Sequence, residues 1–164
     1  MRLASSDGAC VELRPAQYQF GPSTRPDDGD FDFDANWVVV DGHVRTPEGT
    51  EYSFRDPCLL TDEMRRISRW LSTVADHRVP PMPLPLSESR VSTFTEPNVA
   101  FSVSADHQNE VRLRVHLPLE SGPPSLGAER SDLYEYFVEL TLTPDDLEVA
   151  AASWDVEIAA FPQR

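Results

Sequence analysis

The chain has 164 residues and a mass of 18.4 kDa, a size at which one domain buries a hydrophobic core without disulfides or metals. Its 28 Asp and Glu residues outnumber 14 basic residues, all of them Arg, which gives a formal net charge of -14. Phosphate backbones and anionic membranes repel such a molecule, so nucleic acids and lipid surfaces are excluded as expected partners. We therefore expect a single domain over residues 1–164 whose charged partners, if any, are basic.

The N-terminal residues Met1–Gly8 lack the apolar core of a signal peptide, and no apolar run approaches the ~20 residues that cross a bilayer. These features predict a cytoplasmic protein. Cys10 and Cys58 stand far apart and form no CxxC motif, which is typical of buried thiols in a reducing compartment. A disulfide between them is the alternative.

The first half of the chain predicts a short strand followed by a hairpin. Alternating apolar residues predict a strand at Val11–Arg14, which Pro15 perturbs. The apolar run that begins at Trp37 predicts a central strand through Arg45, with a possible bulge at Gly42. A turn at Thr46–Gly49 then leads into a strand in which Tyr52 and Phe54 alternate with polar residues.

A helix is predicted over residues 62–76, because apolar residues recur there at helical spacing and Thr61 can cap its start. Four prolines between residues 80 and 85 predict an extended connector. Alternation at Val99–Val103 and Val111–Leu117 predicts a second hairpin, followed by a long loop over Pro118–Asp132.

The last two elements are a strand and a helix. Apolar residues alternate over Tyr134–Leu142, and Thr143 and Pro144 then provide a cap and a first helical residue. The order β-ββ-α-ββ-β-α predicts an α+β fold: a largely antiparallel sheet of about six strands, with two amphipathic helices packed on one face.

Standard catalytic and cofactor fingerprints are absent, including GxGxxG, GxxxxGK[ST], HExxH and GxSxG. The four histidines form no i,i+4 pair and have no paired cysteines nearby, so we expect no metal site and no cofactor. A small hydrolase built around Cys58 or a histidine is one hypothesis, but a cysteine nucleophile needs a neighbouring base. A buried thiol between strand and helix is the simpler interpretation, and we expect no catalytic residues.

The most unusual segment covers residues 27–34 and is called the acidic segment below. Five aspartates alternate there with two phenylalanines, and we predict that these residues bind a partner: Asp27, Asp28, Asp30, Phe31, Asp32, Phe33 and Asp34. The spacing of the aspartates also suggests calcium, but an EF-hand loop starting at Asp28 would need Gly and Glu where Phe33 and Val39 stand.

The carboxylates of the acidic segment can face a basic groove while the two rings act as apolar anchors. A nuclease has such a groove, because it must hold phosphates, and an acidic protein can block it. The alternative is structural: both phenylalanines pack into the core and the aspartates face water.

Several motifs together resemble the WapI-like immunity proteins of bacterial polymorphic toxin systems. They are Asp34-Ala35-Asn36-Trp37-Val38-Val39-Val40-Asp41-Gly42-His43-Val44, Ser53-Phe54-Arg55-Asp56-Pro57-Cys58-Leu59-Leu60-Thr61, Glu12-Leu13-Arg14-Pro15, Phe94-Thr95-Glu96-Pro97-Asn98 and Phe161-Pro162-Gln163-Arg164. The resemblance spans nearly the whole chain. It implies that Trp37, Pro57, Cys58, Glu96 and Pro97 define the fold rather than contact a partner.

The resemblance also implies a cytoplasmic, noncatalytic protein that binds and neutralises the toxic C-terminal domain of a cognate secreted or wall-associated protein. In the namesake system that domain is a tRNA-cleaving nuclease. The competing hypothesis is a regulatory or adaptor module that binds another intracellular protein.

Overall fold

The computed structural model describes residues 1–22, 32–84, 91–126 and 133–164. Within these ranges the chain forms seven strands and three α-helices. The strands are β1 (Arg2–Ala4), β2 (Cys10–Tyr18), β3 (Trp37–Arg45), β4 (Glu51–Leu60), β5 (Ala100–His107), β6 (Glu110–His116) and β7 (Phe137–Leu142), and the helices are α1 (Phe33–Asn36), α2 (Thr61–Ala75) and α3 (Pro144–Ile158).

All strand pairings are antiparallel, and they form two sheets in the orders β1-β2-β3-β4 and β5-β6-β7. The predicted α+β class and the antiparallel pairing are confirmed, although the strands divide between two sheets instead of joining in one. Strand β1 and helix α1 were not predicted, since three and four residues are too short for a periodic pattern.

Helices α2 and α3 pack side by side, and a hydrogen bond of 2.8 Å from Trp154 Nε1 to Met64 O joins them. Ser72 on α2 donates to Glu148 on α3 at 3.3 Å, so the two helices run in opposite directions. Their inward residues and those of both sheets enclose a common core, in which Trp154, Phe101 and Leu13 are almost completely buried.

The bulge predicted at Gly42 is wrong, because Gly42 pairs with Leu13 and Phe54 in unbroken register. The ring of Phe54 lies directly over this glycine, and a Cβ there would stand 2.0 Å from Phe54 Cε1. Gly42 therefore makes room for an aromatic ring on the neighbouring strand. The register shifts instead beside Pro15, where the sequence predicted a perturbed strand, and between Val38 and Val39 in the pairing of β3 with β4.

The start of α2 also differs from prediction. Its N-cap is Leu60, and the hydroxyl of Thr61, predicted as the cap, donates to Asn36 Oδ1 at 2.8 Å. The carboxylate of Glu63 accepts from Leu60 N at 2.9 Å and so holds the first turn in place of a cap hydroxyl. The cap of α3 is as predicted, since Thr143 Oγ1 accepts from Asp146 N at 3.1 Å.

Candidate functional site

The acidic segment is only partly described. Asp27, Asp28, Asp30 and Phe31 lie outside the described residues, whereas Asp32, Phe33 and Asp34 lie within them. Asp32 caps α1, because its Oδ1 accepts from Ala35 N at 3.2 Å. The side chains of Phe33 and Asp34 are exposed, that of Phe33 by 56%. Phe33 therefore lies outside the core, contrary to the structural alternative for this residue.

Asn36 fixes the end of the acidic segment to the rest of the fold. Its side chain is fully buried and its Nδ2 donates to Asp32 O and Arg164 O, each at 2.8 Å. Its Oδ1 accepts from Thr61 Oγ1 at 2.8 Å and from Arg164 N at 3.0 Å. All four hydrogen bonds that an amide side chain can form are thus satisfied. The backbone at Asp32 is held between α2 and the segment that follows α3.

The segment that follows α3 crosses the end of β2 on its way to Asn36. Phe161 packs on the ring of Tyr18 with centroids 5.3 Å apart, and the Tyr18 hydroxyl donates to Pro162 O. The guanidinium of Arg164 lies 3.4 Å from the centroid of the same ring. Residues 159–164 therefore link the end of α3 to the described end of the acidic segment.

A groove of about 600 Å³ lies on the exposed side of the four-stranded sheet. Its lining residues are Glu12, Arg14, Asp41, Gly42, His43, Ser53, Phe54 and Arg55. The charges in the groove compensate one another, because Arg14 pairs with Glu12 at 2.6 Å and Arg55 with Asp41 at 2.9 Å. Such a surface has no unpaired charge with which to select a ligand of one sign.

Cys58 does not have the environment of a nucleophile. Its thiol is fully buried, and burial raises its pKa, as do the nearby carboxylates of Asp56 and Glu63. A catalytic cysteine needs the opposite, a lowered pKa and access to substrate. Cys10 is also buried, and both thiols are free, so the structure supports the prediction of buried thiols rather than a disulfide.

His116 is the most deeply buried histidine. Its ring contacts Ser102 Oγ at 2.8 Å and Tyr134 O at 2.9 Å, and burial lowers its pKa to about 4. A neutral imidazole with both nitrogens engaged and no solvent access holds β5, β6 and the Tyr134 backbone together. Within the described ranges, no group of three His, Cys, Asp or Glu side chains is arranged to bind a metal ion.

Comparison with protein families shows to which family the chain belongs. The sequence model of the Immunity protein WapI-like family matches residues 2–162. The chain belongs to this family. Searches of curated proteins and of solved structures each return no match. Among the helices of the described ranges, none combines the length and apolarity needed to cross a bilayer.

In this WapI-like immunity protein, the shared motif residues connect loops to the core. Asn98 is almost fully buried and its Nδ2 donates to Asp56 Oδ2 at 2.6 Å. Burial raises the pKa of that Asp56 carboxyl, while the hydrogen bond from Asn98 lowers it. Glu63 Oε1 accepts from Thr95 N at 2.6 Å and from Thr95 Oγ1 at 2.8 Å. These hydrogen bonds therefore join the Phe-Thr-Glu-Pro-Asn motif to the Asp-Pro-Cys motif on β4 and to the first turn of α2.

The positions for which a fold-defining role was expected differ in burial. Cys58 is fully buried, whereas Trp37, Pro57, Glu96 and Pro97 are half-buried. Sequence reasoning did not single out Asn36 and Glu63, although they carry the polar connections. The signal for Asn36 was its place in the motif before Trp37, and the signal for Glu63 was a carboxylate in the first turn of a predicted helix.

Proposed function

We propose that this immunity protein binds and neutralises the C-terminal toxic domain of a cognate polymorphic toxin, and that this toxic domain is a nuclease. The immunity protein acts in the cytoplasm and catalyses no reaction of its own. The observation that carries the proposal is the family match over residues 2–162. The charge of the chain supports the nuclease as target, because a surface that holds phosphates is basic and this chain has a net charge of -14.

The acidic segment is proposed as one contact surface. Its described end supports this role, since Phe33 is 56% exposed beside the carboxylate of Asp34, and Asn36 holds the backbone there. A fixed apolar anchor flanked by negative charge matches a basic groove with less loss of conformational freedom than a mobile one.

A cleavage assay tests the proposed function. The probe is the purified C-terminal domain of the toxin encoded beside this gene, with total tRNA as substrate. We expect cleavage to fall linearly as the immunity protein is added and to stop at one chain per toxin domain. Undiminished cleavage at a tenfold excess would contradict the proposal, and loss of activity far below equimolar amounts would indicate catalytic inactivation instead.

Charge removal tests the proposed surface. Changing Asp28, Asp30, Asp32 and Asp34 together to Asn should lower the association rate constant at low salt by about tenfold and weaken its salt dependence. The matched control removes four negative charges elsewhere, by changing Glu48, Asp62, Glu120 and Glu135 to their amides. If both variants associate as fast as the wild type at low salt, the acidic segment is not the contact surface.

A further inference from the structure

Helix α3 has an apolar ridge on the side that faces away from the core. Val149 and Val156 are 70% and 76% exposed, the highest values among the large apolar side chains of the described residues. Ala152 lies between them and is also exposed. Residues at positions i, i+3 and i+7 share one side of a helix, so the three form a continuous stripe about 10 Å long. We call Val149, Ala152 and Val156 the α3 outer ridge.

The fold itself does not need this ridge. The opposite side of α3 already fills the core with Leu147, Ala151 and Trp154. Solvent-exposed helix positions favour polar residues, and valine in addition has a lower helix propensity than Ala, Glu or Arg. Two valines at such positions therefore lower solubility without improving the helix, unless something covers them.

The side-chain charges of α3 have a single sign, although one of them, that of Glu157, is already paired with the N-terminal ammonium of Met1 at 2.5 Å. All the charged residues of α3 are carboxylates: Asp145, Asp146, Glu148, Asp155 and Glu157. Of these, Glu148 and Asp155 lie toward α2, as the hydrogen bond from Ser72 to Glu148 shows for the first. A partner that covers the ridge must place its own charged groups against these carboxylates. Basic groups satisfy them, whereas acidic groups are repelled.

This arrangement selects among possible occupants. A second copy of the chain would place one α3 against another and bring two sets of carboxylates together, between molecules that each have a charge of -14. A membrane with anionic lipids would be repelled in the same way. A basic protein surface with aliphatic side chains at its centre complements both the charge and the apolar stripe.

We propose that the α3 outer ridge docks on an aliphatic patch flanked by Lys or Arg on the cognate toxin domain. This inference rests on the proposed function and adds a second contact surface to it. One segment of the chain links the two surfaces. Residues 159–164 run from the end of α3 to Asn36, beside the described end of the acidic segment. The toxin domain is thus contacted by apolar groups at α3 and by carboxylates at both places.

The test is titration calorimetry of the purified toxin domain with the full chain. The first variant is Val149→Arg/Val156→Arg, which puts two cations on the ridge. We expect Kd to rise at least about 30-fold, because the two cations would meet an aliphatic patch flanked by the Lys or Arg of the partner. The matched control is Thr50→Arg/Ser53→Arg, which adds the same charges at exposed positions in the turn before β4 and in β4 itself and should leave Kd within about threefold.

A second variant, Val149→Ala/Val156→Ala, guards against a folding artefact. Alanine has the higher helix propensity, so this variant keeps α3 intact while removing the branched side chains. Its Kd should rise about 3- to 10-fold. An unchanged Kd for both ridge variants, with weakened binding of the acidic-segment variant, would overturn the ridge and leave the proposed function standing.

Two further outcomes would also overturn the ridge as a toxin contact. If the wild-type chain does not bind the toxin domain at 100 μM, roughly the limit of a specific weak complex, the proposed function fails together with the ridge. If the chain alone is a dimer by sedimentation and Val149→Arg/Val156→Arg makes it monomeric, a second copy covers the ridge.

Discussion

Helices α2 and α3 have the same length and pack against each other, yet their outward sides differ. The outward side of α2 carries Arg65, Arg66 and Arg69, whereas that of α3 carries valines and carboxylates. In the described part of the chain, no ion pair engages these three arginines; Arg66 lies over the Phe94 ring and Arg69 Nε donates to Arg65 O. The inward sides of both helices pack in the core, whereas their outward sides differ in charge and polarity.

This difference shows that burial in the core explains where the apolar residues of α2 lie, but not where those of α3 lie. A solvated polar side opposite an apolar one is what an amphipathic surface helix requires. Helix α3 has an apolar stripe on both sides, and packing in the core requires only the inward one. The second stripe is the α3 outer ridge. Substitutions at inward, terminal and outward positions of the two helices can break or sharpen this contrast.

The largest effect is expected at the inward contact that the helices share. Trp154→Ala should lower the free energy of unfolding by about 3–5 kcal/mol, because it leaves a cavity in the core and removes the hydrogen bond to Met64 O. Urea unfolding followed by circular dichroism measures the loss. Trp154→Phe keeps most of the apolar volume and should lose less. Equal stability of Trp154→Ala and the wild type would show that α3 is not held by its inward side.

The next largest effect is expected at the start of α2. Glu63→Ala leaves three donors without their acceptor, those of Leu60 N, Thr95 N and Thr95 Oγ1, and should destabilise the protein by about 2–3 kcal/mol. Glu63→Gln keeps one acceptor oxygen but places an NH2 donor opposite Leu60 N or Thr95 N, so it should also destabilise the protein. Thermal unfolding compares both variants with the wild type. Wild-type stability of both variants would contradict the role of Glu63 as an acceptor.

A smaller effect is expected at the start of α3, where the cap is exposed. Thr143→Ala should cost about 1 kcal/mol. The hydroxyl and then the backbone N–H of Thr143 hold the pKa of Asp146 below its usual value. A carboxylate whose pKa is lower in the folded state adds stability above the unfolded pKa, and this stability is lost as the pH falls through the folded pKa.

Acid titration of the unfolding free energy therefore tests the cap. Below about pH 4 the wild type should lose the contribution of Asp146, so the difference between wild type and Thr143→Ala should shrink there. A Thr143→Ser variant keeps a hydroxyl and serves as the control. A difference that does not change with pH would mean that the hydrogen bond from the Thr143 hydroxyl to the Asp146 carboxylate does not stabilise α3.

The smallest effects on stability are expected on the outward sides. Val149→Arg/Val156→Arg on α3 and Arg65→Ala/Arg69→Ala on α2 should each change the unfolding free energy by less than about 0.5 kcal/mol. Binding separates them, because only the α3 variant should weaken the toxin complex strongly. If the α2 variant weakens binding more than the α3 variant, the outward side of α2, and not that of α3, contacts the toxin domain.

Most of the fold follows from local patterns in the sequence. The apolar run in β3, the alternation in β4 to β7 and the helical spacing in α2 and α3 predict these elements because each buries apolar side chains in the core. The division of the strands between two sheets is not visible, because it depends on which strands lie beside each other in space. Gly42 was mistaken for a bulge because the Phe54 ring above it belongs to a different strand.

The candidate site is less predictable than the fold. The composition of the acidic segment singles it out, but only the structure places Phe33 outside the core and Asn36 at the junction of three segments. Sequence reasoning did not single out the outer ridge of α3, although helical spacing places Val149 and Val156 opposite the side that Leu147 and Trp154 bury in the core.

The central claim is that this immunity protein docks through its negative charge on a basic partner, and the salt dependence of association tests it most directly. Stopped-flow mixing of the wild-type chain with the toxin domain should give an association rate constant near 10⁸ M⁻¹s⁻¹ at about 20 mM salt, falling at least about tenfold by 300 mM. A rate constant that does not change over this range, or rises with salt, would contradict the account.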